Sequence, residues 1–239
     1  MNDDVRAYLH LIEDQAHDGA FNMTVDEFLL KNQIRKKDPN SILRFYRFNE
    51  PTITVGYGMW QAVQPQMNER IPFVRRITGG GMVVHGASDL TYSFIVPLSC
   101  QPMLRKVKES YFFIHQELKR ALDHFGVKTE LFEKNCSASE VLDGSRCKAG
   151  RVSFCFDSPV LFDVMLSGKK IAGAGQKRTQ GYLLHQGSIA WSMLTEVCPQ
   201  LLESDFCVQF AEGLANLLAL QIKKVPFHAE EMEELIAHV

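Results

Sequence analysis

The 239-residue sequence contains little that would direct the chain to a membrane, out of the cell or onto nucleic acid. Residues 1–6 are partly acidic and lead into no apolar segment of the kind found in signal peptides. No run approaches the roughly 18 apolar residues of a membrane-spanning helix. The 26 basic and 28 acidic residues give a net charge of −2, without the basic excess of nucleic-acid-binding proteins. We therefore expect a cytoplasmic protein with no membrane or nucleic-acid partner.

Cysteine is present, but not in a pattern that binds metal. None of the six cysteines belongs to a Cys-x-x-Cys pair, and their spacing matches no zinc site, so we expect no metal. Without an export signal a reducing compartment is expected, in which most of these thiols would be small buried hydrophobic side chains. A hydrophobic content of 46% with 23% charged residues is typical of a globular protein with a sizeable core. The cysteines are Cys100, Cys136, Cys147, Cys155, Cys198 and Cys207.

The spacing of apolar residues predicts helices and strands in an order that differs from regular βαβ alternation. Helices are expected at 20–35, 103–125, 206–221 and, as a short acidic segment, about 229–238. Strands are expected at 42–48, 52–57, 72–76, 82–85 and 90–97, with a strand-rich section at 151–191 that includes 160–166. The strands at 82–85 and 90–97 are interpreted as a hairpin across the turn at 86–89. This order predicts an α+β fold with a mostly antiparallel sheet and helices packed on it.

Three successive glycines, Gly79–Gly81, follow the pair Arg75 and Arg76. Backbone N–H groups without neighbouring Cβ atoms can approach a ligand closely, and the arginines can bind an anionic group such as a phosphate. The segment matches neither a P-loop nor a dinucleotide-binding fingerprint, and a flexible surface turn is an equally good interpretation. His85 ends the apolar strand that follows. A histidine there is more often structural, but one so near the glycines can also help to close a pocket or position an acyl thioester.

Lys170 stands fifteen residues after Cys155 and is flanked by glycines. Taken alone, the cysteine is more often a buried packing residue, and a lysine in a glycine-flanked turn is usually solvated. A hairpin that turns near Gly168 would, however, place the two side by side. The Lys170 ammonium would then favour the Cys155 thiolate, which can take an acyl group from a thioester. The small residues around Lys170 would leave room for a narrow acyl chain.

The sequence resembles the biotin/lipoate protein ligase A/B superfamily over most of its length. The matching blocks are highly specific together and in this order: Gly19 to Asp26, Leu43 to Arg47, Arg75 to His85, Leu90 to Ser93, and Lys170 to Gln176. The resemblance implies a class II aminoacyl-tRNA synthetase/biotin synthetase-like catalytic domain, in which a central, mostly antiparallel mixed sheet has flanking helices. It also implies a single catalytic domain over 1–239, without a C-terminal accessory domain.

The resemblance carries the family's functional residues onto matching positions of this chain. The central catalytic lysine of the family corresponds to Lys170, and the nucleophile of the cysteine-type octanoyltransferases corresponds to Cys155. The same comparison implies an acyl pocket that extends towards the phosphate or pantetheine side of the substrate. Its expected substrate-binding residues are Arg75, Arg76, Gly79, Gly80, Gly81, His85, Gly173 and Ala174.

Three functions remain open at this point. The first is an octanoyltransferase, which moves octanoyl or lipoyl from acyl carrier protein through a cysteine thioester to a lipoyl domain. The acceptor would be a glycine cleavage H protein or a 2-oxoacid dehydrogenase E2, and no cofactor would be needed. The second is a lipoate-protein ligase, which requires ATP and Mg. The third is a non-catalytic relative that binds an acyl group or a carrier protein.

Overall fold

A computed structural model describes residues 7–63, 71–99, 101–133, 159–230 and 232, and an eight-stranded mixed sheet forms the centre of these residues. The strands in chain order are β1 (Tyr8–His17), β2 (Ser41–Phe48), β3 (Thr52–Val55), β4 (Phe73–Arg75), β5 (Met82–His85), β6 (Leu90–Pro97), β7 (Glu130–Leu131), β8 (Val164–Leu166), β9 (Lys169–Thr179), β10 (Tyr182–Ile189) and β11 (Gln221–Lys224). The main sheet has the order β11-β1-β2-β6-β10-β9-β8-β7. Strand β1 runs parallel to β2 and β11, and the other neighbours are antiparallel.

Strands β4, β3 and β5 form a separate three-stranded sheet, in that order. The helices are α1 (Gly19–Lys36), α2 (Trp60–Val63), α3 (Val107–His124), α4 (Trp191–Val197) and α5 (Glu203–Leu218), and short 3₁₀ helices cover Tyr57–Met59 and Pro102–Leu104. Mixed sheets with separate helices define an α+β fold, which confirms the fold class predicted from the sequence. None of the helices in the described ranges is both long and apolar enough to cross a membrane.

The two faces of the main sheet bury different apolar clusters. Because successive strand residues point to opposite faces, Phe94 and Leu183 join a cluster with α3 and α5, whereas Ile95 and Leu184 join a cluster with α1. Further along the α1 face, buried polar side chains replace the apolar ones: Thr91, Ser93, Gln186 and Ser188. This polar part of the face is where the candidate site lies.

The longer predicted helices are confirmed, and their ends have clear local causes. Helix α1 begins after Asp18, whose side chain accepts a hydrogen bond from the Phe21 backbone N–H at 2.8 Å, as is typical of an N-cap. Helix α3 is followed by Gly126, which has a φ of +82° that glycine adopts without steric cost. Helix α5 ends at Leu218 rather than 221, and β11 follows it. The predicted acidic helix at 229–238 lies mostly outside the described residues.

The predicted hairpin of strands 82–85 and 90–97 is wrong, although both strands exist. Strand β5 pairs with β3, and the register places His85 opposite Thr52. Strand β6 lies in the middle of the main sheet, where β2 and β10 occupy both of its edges and all eight of its residues are buried. No edge therefore remains for β5. The turn at 86–89 does form, since the Asp89 N–H donates to Gly86 O, but it carries the chain from one sheet to the other.

Strands β1, β7 and β11 were not predicted, and β8 was predicted too long. Strand β1 carries the charged residues Glu13 and Asp14, and Asp14 is nevertheless buried against Arg44. Strand β8 covers only Val164–Leu166 of the predicted 160–166, because Phe162 has a φ of +70°, which interrupts the extended backbone.

Candidate active site

A cavity of about 610 Å³ opens between the small sheet and the polar part of the main sheet. This volume falls within the range of small-molecule sites. Helix α1 and strands β2, β3, β5, β6, β9 and β10 all contribute to its wall. The lining residues used below are Met23, Tyr46, Thr54, Arg76, Gly80, Gly81, Val83, His85, Tyr111, Lys170, Gly173, Ala174, Gly175, Gln186 and Ser188.

Lys170 reaches this cavity from the start of strand β9. The predicted hairpin near Gly168 is confirmed: Ser167 and Gly168 have φ values of +50° and +76° and connect β8 to β9. The pairing then shifts by one residue beside Lys170, and such a bulge next to a site changes the direction of a side chain. Only 5% of the Lys170 side chain is exposed, and its Nζ lies 2.8 Å from Asp163 Oδ2.

Asp163 is the fixed partner of this lysine. Its Oδ1 accepts a hydrogen bond from the Tyr111 hydroxyl at 2.5 Å, and its Oδ2 accepts one from the Val160 backbone N–H at 2.7 Å. The Tyr111 oxygen in turn accepts from the Ala174 backbone N–H at 2.9 Å. Burial, reinforced by the Asp163 charge, raises the pKa of Tyr111 well above its usual value, so the hydroxyl stays protonated as a donor. The chain of contacts holds the Lys170 ammonium at one place in the wall.

Gly173 permits this position of the lysine. A Cβ at residue 173 would lie 2.5 Å from Lys170 Cε and 2.6 Å from its Nζ, which is closer than side chains approach one another. Gly175, two residues further along β9, has a similar role, since a Cβ there would lie 2.5 Å from Gly79 O. The glycines of β9 therefore make room for the lysine and for the glycine loop.

Two buried histidines lie behind the lysine–carboxylate pair. His115 Nδ1 donates to Phe162 O at 2.7 Å, and its Nε2 has no hydrogen-bond partner among the described residues. Burial lowers the pKa of His115 to about 4 and lowers that of His185 well below its usual value. Both rings are therefore neutral near pH 7, and Lys170 is the cation of this part of the site.

The glycine loop is held in place by Arg76. Its guanidinium donates to the carbonyl oxygens of Thr54, Gly79 and Gly81 at 3.0, 3.0 and 2.8 Å. The side chain is buried, and Gly80 adopts a φ of +100° beside it. The Gly79 N–H donates to Gln176 O at 3.1 Å, which ties the loop to β9.

Arg75, the neighbouring arginine, lies in a different environment. It is exposed, and its guanidinium carbon lies 5.2 Å from the centroid of the Tyr57 ring, while Lys177 Nζ lies 5.4 Å from the same centroid. Cations in this position are attracted by the ring face. Tyr57 precedes Gly58 and Met59, which line the cavity. Arg75, Tyr57 and Lys177 therefore form a rim of basic character beside the cavity, the basic rim.

His85 is buried between the two sheets. Its Nε2 lies 2.8 Å from Thr54 Oγ1 and its Nδ1 lies 3.3 Å from Ser188 Oγ, and the ring stacks on Phe48 at 4.3 Å. Burial, with a smaller effect of the Arg76 charge, lowers the pKa of His85 to about 3. The ring is therefore a neutral hydrogen-bonding group in the cavity wall.

Most of the predicted site residues come together around the cavity. Those that line it are Arg76, Gly80, Gly81, His85, Lys170, Gly173 and Ala174. Arg75 lies on the basic rim, and Gly79 packs against β9. Cys155 lies outside the described residues. Within the described ranges, no group of three or more His, Cys, Asp and Glu side chains is placed to bind a metal ion.

Asp163 and Tyr111, which fix Lys170, were not predicted as site residues, and neither was the buried network under the cavity floor. In that network Asp26 accepts from Arg44 at 2.8 Å and from Gln186 at 2.7 Å, and Arg44 also binds Asp14 at 2.6 Å. Of these residues, Asp163 alone could have been found from the sequence, because it stands just before β8, on the arm of the hairpin opposite Lys170. The other partners are far apart in sequence.

Fold and site together define the class: the chain belongs to the lipoyl protein ligase A/B catalytic domain family, whose model matches residues 18–238. This confirms the resemblance to the biotin/lipoate ligase superfamily. Octanoyltransferase LipM of Bacillus cereus is 39% identical over 176 residues, which cover 71% of this chain and 60% of that protein. Octanoyltransferase LipM of Oceanobacillus iheyensis is 32% identical over 192 residues, which cover 78% of this chain and 65% of that protein.

Each match thus spans less than two thirds of the length of the curated relative. Among solved structures, protein Ta0514 from T. acidophilum with bound lipoic acid has a TM-score of 0.67 at 19% sequence identity. That similarity covers 98% of this chain and 93% of the other. At such low identity it shows a shared fold.

Proposed function

We propose that the chain is an octanoyltransferase of lipoate metabolism. It takes an octanoyl group from octanoyl acyl carrier protein and delivers it to a lysine of a lipoyl domain, in a glycine cleavage H protein or a 2-oxoacid dehydrogenase E2. The observation that carries the proposal is the buried Lys170–Asp163 pair, 2.8 Å apart, in the wall of the 610 Å³ cavity. The relatives named octanoyltransferase LipM support the choice of acyl group.

In the first step of the proposed reaction, the thiolate of Cys155 attacks the carbonyl carbon of the donor thioester. The C–S bond to the donor breaks, the donor sulfur takes up a proton, and the octanoyl group remains on Cys155 as a thioester. A cation such as Lys170 stabilises both the attacking thiolate and the oxyanion that forms on the carbonyl oxygen. Because Asp163 and Tyr111 fix the ammonium, little reorganisation is needed as the charge develops.

In the second step, the neutral amine of the acceptor lysine attacks the Cys155 thioester. The amide bond forms, the C–S bond breaks, and a proton from the amine nitrogen returns the sulfur to a thiol. The donor is already a thioester, so this route consumes no ATP. Apolar side chains such as Met23 and Val83 give the cavity a surface for the methylene chain, while the neutral His85 adds no charge there.

The test is the mass of the intact protein after incubation with octanoyl acyl carrier protein. Wild type is expected to gain an octanoyl adduct that is lost on addition of an apo lipoyl domain, and Cys155→Ser is expected to form no adduct. Cys198→Ser is the matched control, since Cys198 is a buried thiol that packs against the helical face, away from the cavity. If Cys155→Ser transfers octanoate at the wild-type rate, the assignment of the nucleophile is wrong.

The same assay separates the two other functions. A lipoate-protein ligase would modify the lipoyl domain only with ATP, Mg and lipoate, whether or not Cys155 is present. A non-catalytic relative would bind octanoate or carrier protein without turnover from either donor.

A further inference from the structure

A second cavity, of about 670 Å³, shares Lys170 with the 610 Å³ cavity, called the acyl cavity below after its proposed ligand, and otherwise has lining residues of its own. It lies at the end of the β8–β9 hairpin, where helix α4 and the end of β5 approach it. Met165 and Met193 supply apolar wall, and Asp89 supplies a carboxylate. The two cavities thus approach the same ammonium.

Asp89 is the carboxylate in the described lining of this second cavity. It is half-buried, and its Oδ2 accepts the Gly86 backbone N–H at 2.9 Å. Arg47, whose charge acts on Asp89, donates its hydrogen bonds to the Ser88 carbonyl oxygen and to Glu203. Burial raises the pKa of Asp89 from its usual value, which outweighs the opposing effects of Gly86 and Arg47. A cationic ligand in the cavity would therefore compensate a charge that the protein itself compensates incompletely.

Among the described residues, the wall of the second cavity has a carboxylate, Asp89, beside Lys169 and the shared Lys170, whereas the wall of the acyl cavity has none. The basic rim of the acyl cavity suits the phosphate of a pantetheine arm. Asp89 would repel that phosphate but attract the ammonium of a lysine. Lys169, at the edge of the second cavity, is exposed and can turn into solvent. Val84 is also exposed there, at 38%, and offers apolar surface to a folded partner.

We infer that the second cavity admits the acceptor lysine of the lipoyl domain, with Asp89 binding its ammonium and Met165 and Met193 contacting its methylene chain. This inference rests on the proposed octanoyl transfer. It assigns the two substrates to separate entrances that meet at Lys170.

The transfer step balances without a further reactant. The bound ammonium first releases one proton to solvent, and the resulting amine attacks the octanoyl thioester. The C–N bond forms and the C–S bond breaks, and the second proton lost by the nitrogen restores the thiol. Asp89 acts in this scheme by binding the acceptor, and it takes no part in bond making.

Asp89→Asn tests the inference, because the amide oxygen can still accept the Gly86 N–H while the charge is removed. Octanoyl-enzyme is isolated and mixed with an apo lipoyl domain of a glycine cleavage H protein, and amide formation is followed by mass. We expect kcat/KM for the domain to fall about tenfold, mainly through KM. Discharge by hydroxylamine, a neutral nucleophile, should change far less. Glu196→Gln, an exposed carboxylate of α4, is the matched control and should behave as wild type.

A binding cycle gives a second readout that does not require turnover. The lipoyl domain and its variant with the acceptor lysine replaced by methionine are titrated into wild type and into Asp89→Asn. If Asp89 binds the acceptor lysine, replacing that lysine by methionine should weaken binding of the lipoyl domain to wild type about tenfold. The same replacement should weaken its binding to Asp89→Asn much less. Equal losses in both proteins would overturn the inference, and so would unchanged aminolysis by Asp89→Asn. An enzyme that forms no acyl adduct would refute the proposed function, while the cycle would still decide this inference.

Discussion

Two buried cations, Arg44 and Lys170, lie on the two sides of the acyl cavity, and their surroundings differ. Arg44 is fully buried and binds Asp14 at 2.6 Å and Asp26 at 2.8 Å. Tyr46 and Gln186, which bind Asp26, stand between this network and the cavity. The Arg44 charge is thus surrounded by protein groups.

Lys170 has a carboxylate partner as well, but it faces two cavities. Its Nζ is fixed by Asp163 while the same side chain lines both spaces. An ammonium in this position can still interact with a ligand. The comparison teaches that burial of a charged pair does not by itself mark a functional site. The two buried charges differ in whether a cavity reaches them, which is the case for Lys170 and not for Arg44.

The largest effect is expected from a substitution in the Arg44 network, and it is a loss of stability. Arg44→Met would leave Asp14 and Asp26 buried without their cation, and removing one member of a buried pair costs about 3–5 kcal/mol. The free energy of unfolding in urea measures this loss. Arg47→Met, on the same strand but 26% exposed, is the control and should cost less than about 1 kcal/mol. Similar losses for the two variants would show that the network contributes no special stability.

A substitution of Lys170 should lower the activity more than the stability. Lys170→Met retains the length of the side chain and removes its charge, and loss of such electrostatic stabilisation typically lowers the rate by about 10²–10³-fold. The rate of octanoyl-enzyme formation from the thioester donor measures it. Asp163 retains Tyr111 and Val160 as donors, so the loss of stability should be smaller than for Arg44→Met.

Lys31→Met provides the control for this variant. Lys31 is an exposed lysine of α1, 62% accessible, and pairs with Glu27 on the same helix. Both the rate and the stability of that variant should match wild type. A Lys170→Met enzyme that forms octanoyl-enzyme at the wild-type rate would remove the catalytic role of the lysine.

The sequence predicted one side of this comparison better than the other. The Lys170 hairpin could be predicted because its turn and its small residues are local signals. Asp163 could not, because its position depends on the positive φ of Phe162 and on Tyr111, which stands 52 residues away on α3. The Arg44 network joins α1, β1, β2 and β10, and no short-range pattern indicates such contacts.

The arginine pair of the glycine loop shows the same limit. The sequence assigned Arg75 and Arg76 one shared role, since both flank the glycines. Successive residues of an extended chain point in opposite directions, and the pairing of β4 with β3 determines which of them is buried. Arg76 therefore holds the loop, while Arg75 lies on the basic rim.

The smallest expected effect is the share of the pH dependence that comes from His115, behind the Lys170–Asp163 pair. The pKa of buried His115 is about 4, below that of a solvated histidine near 6.5, so the unfolded chain binds more protons between these values. The free energy of unfolding should therefore fall as the pH drops through this window. For His115 the loss between pH 7.5 and 5 is about 2 kcal/mol by linkage.

His115→Gln tests this prediction, because its amide can still donate to Phe162 O but does not titrate. The fall in unfolding free energy between pH 7.5 and 5 should shrink by about 2 kcal/mol relative to wild type. His124→Gln, at the exposed end of the same helix, should leave the fall unchanged. An equal pH dependence in wild type and His115→Gln would contradict the prediction. Arg44 does not titrate in this range, because the effect of burial, which lowers the pKa of its guanidinium, is outweighed by the charges of Asp26 and Asp14, which raise it, and the fall with acid should therefore owe nothing to this arginine.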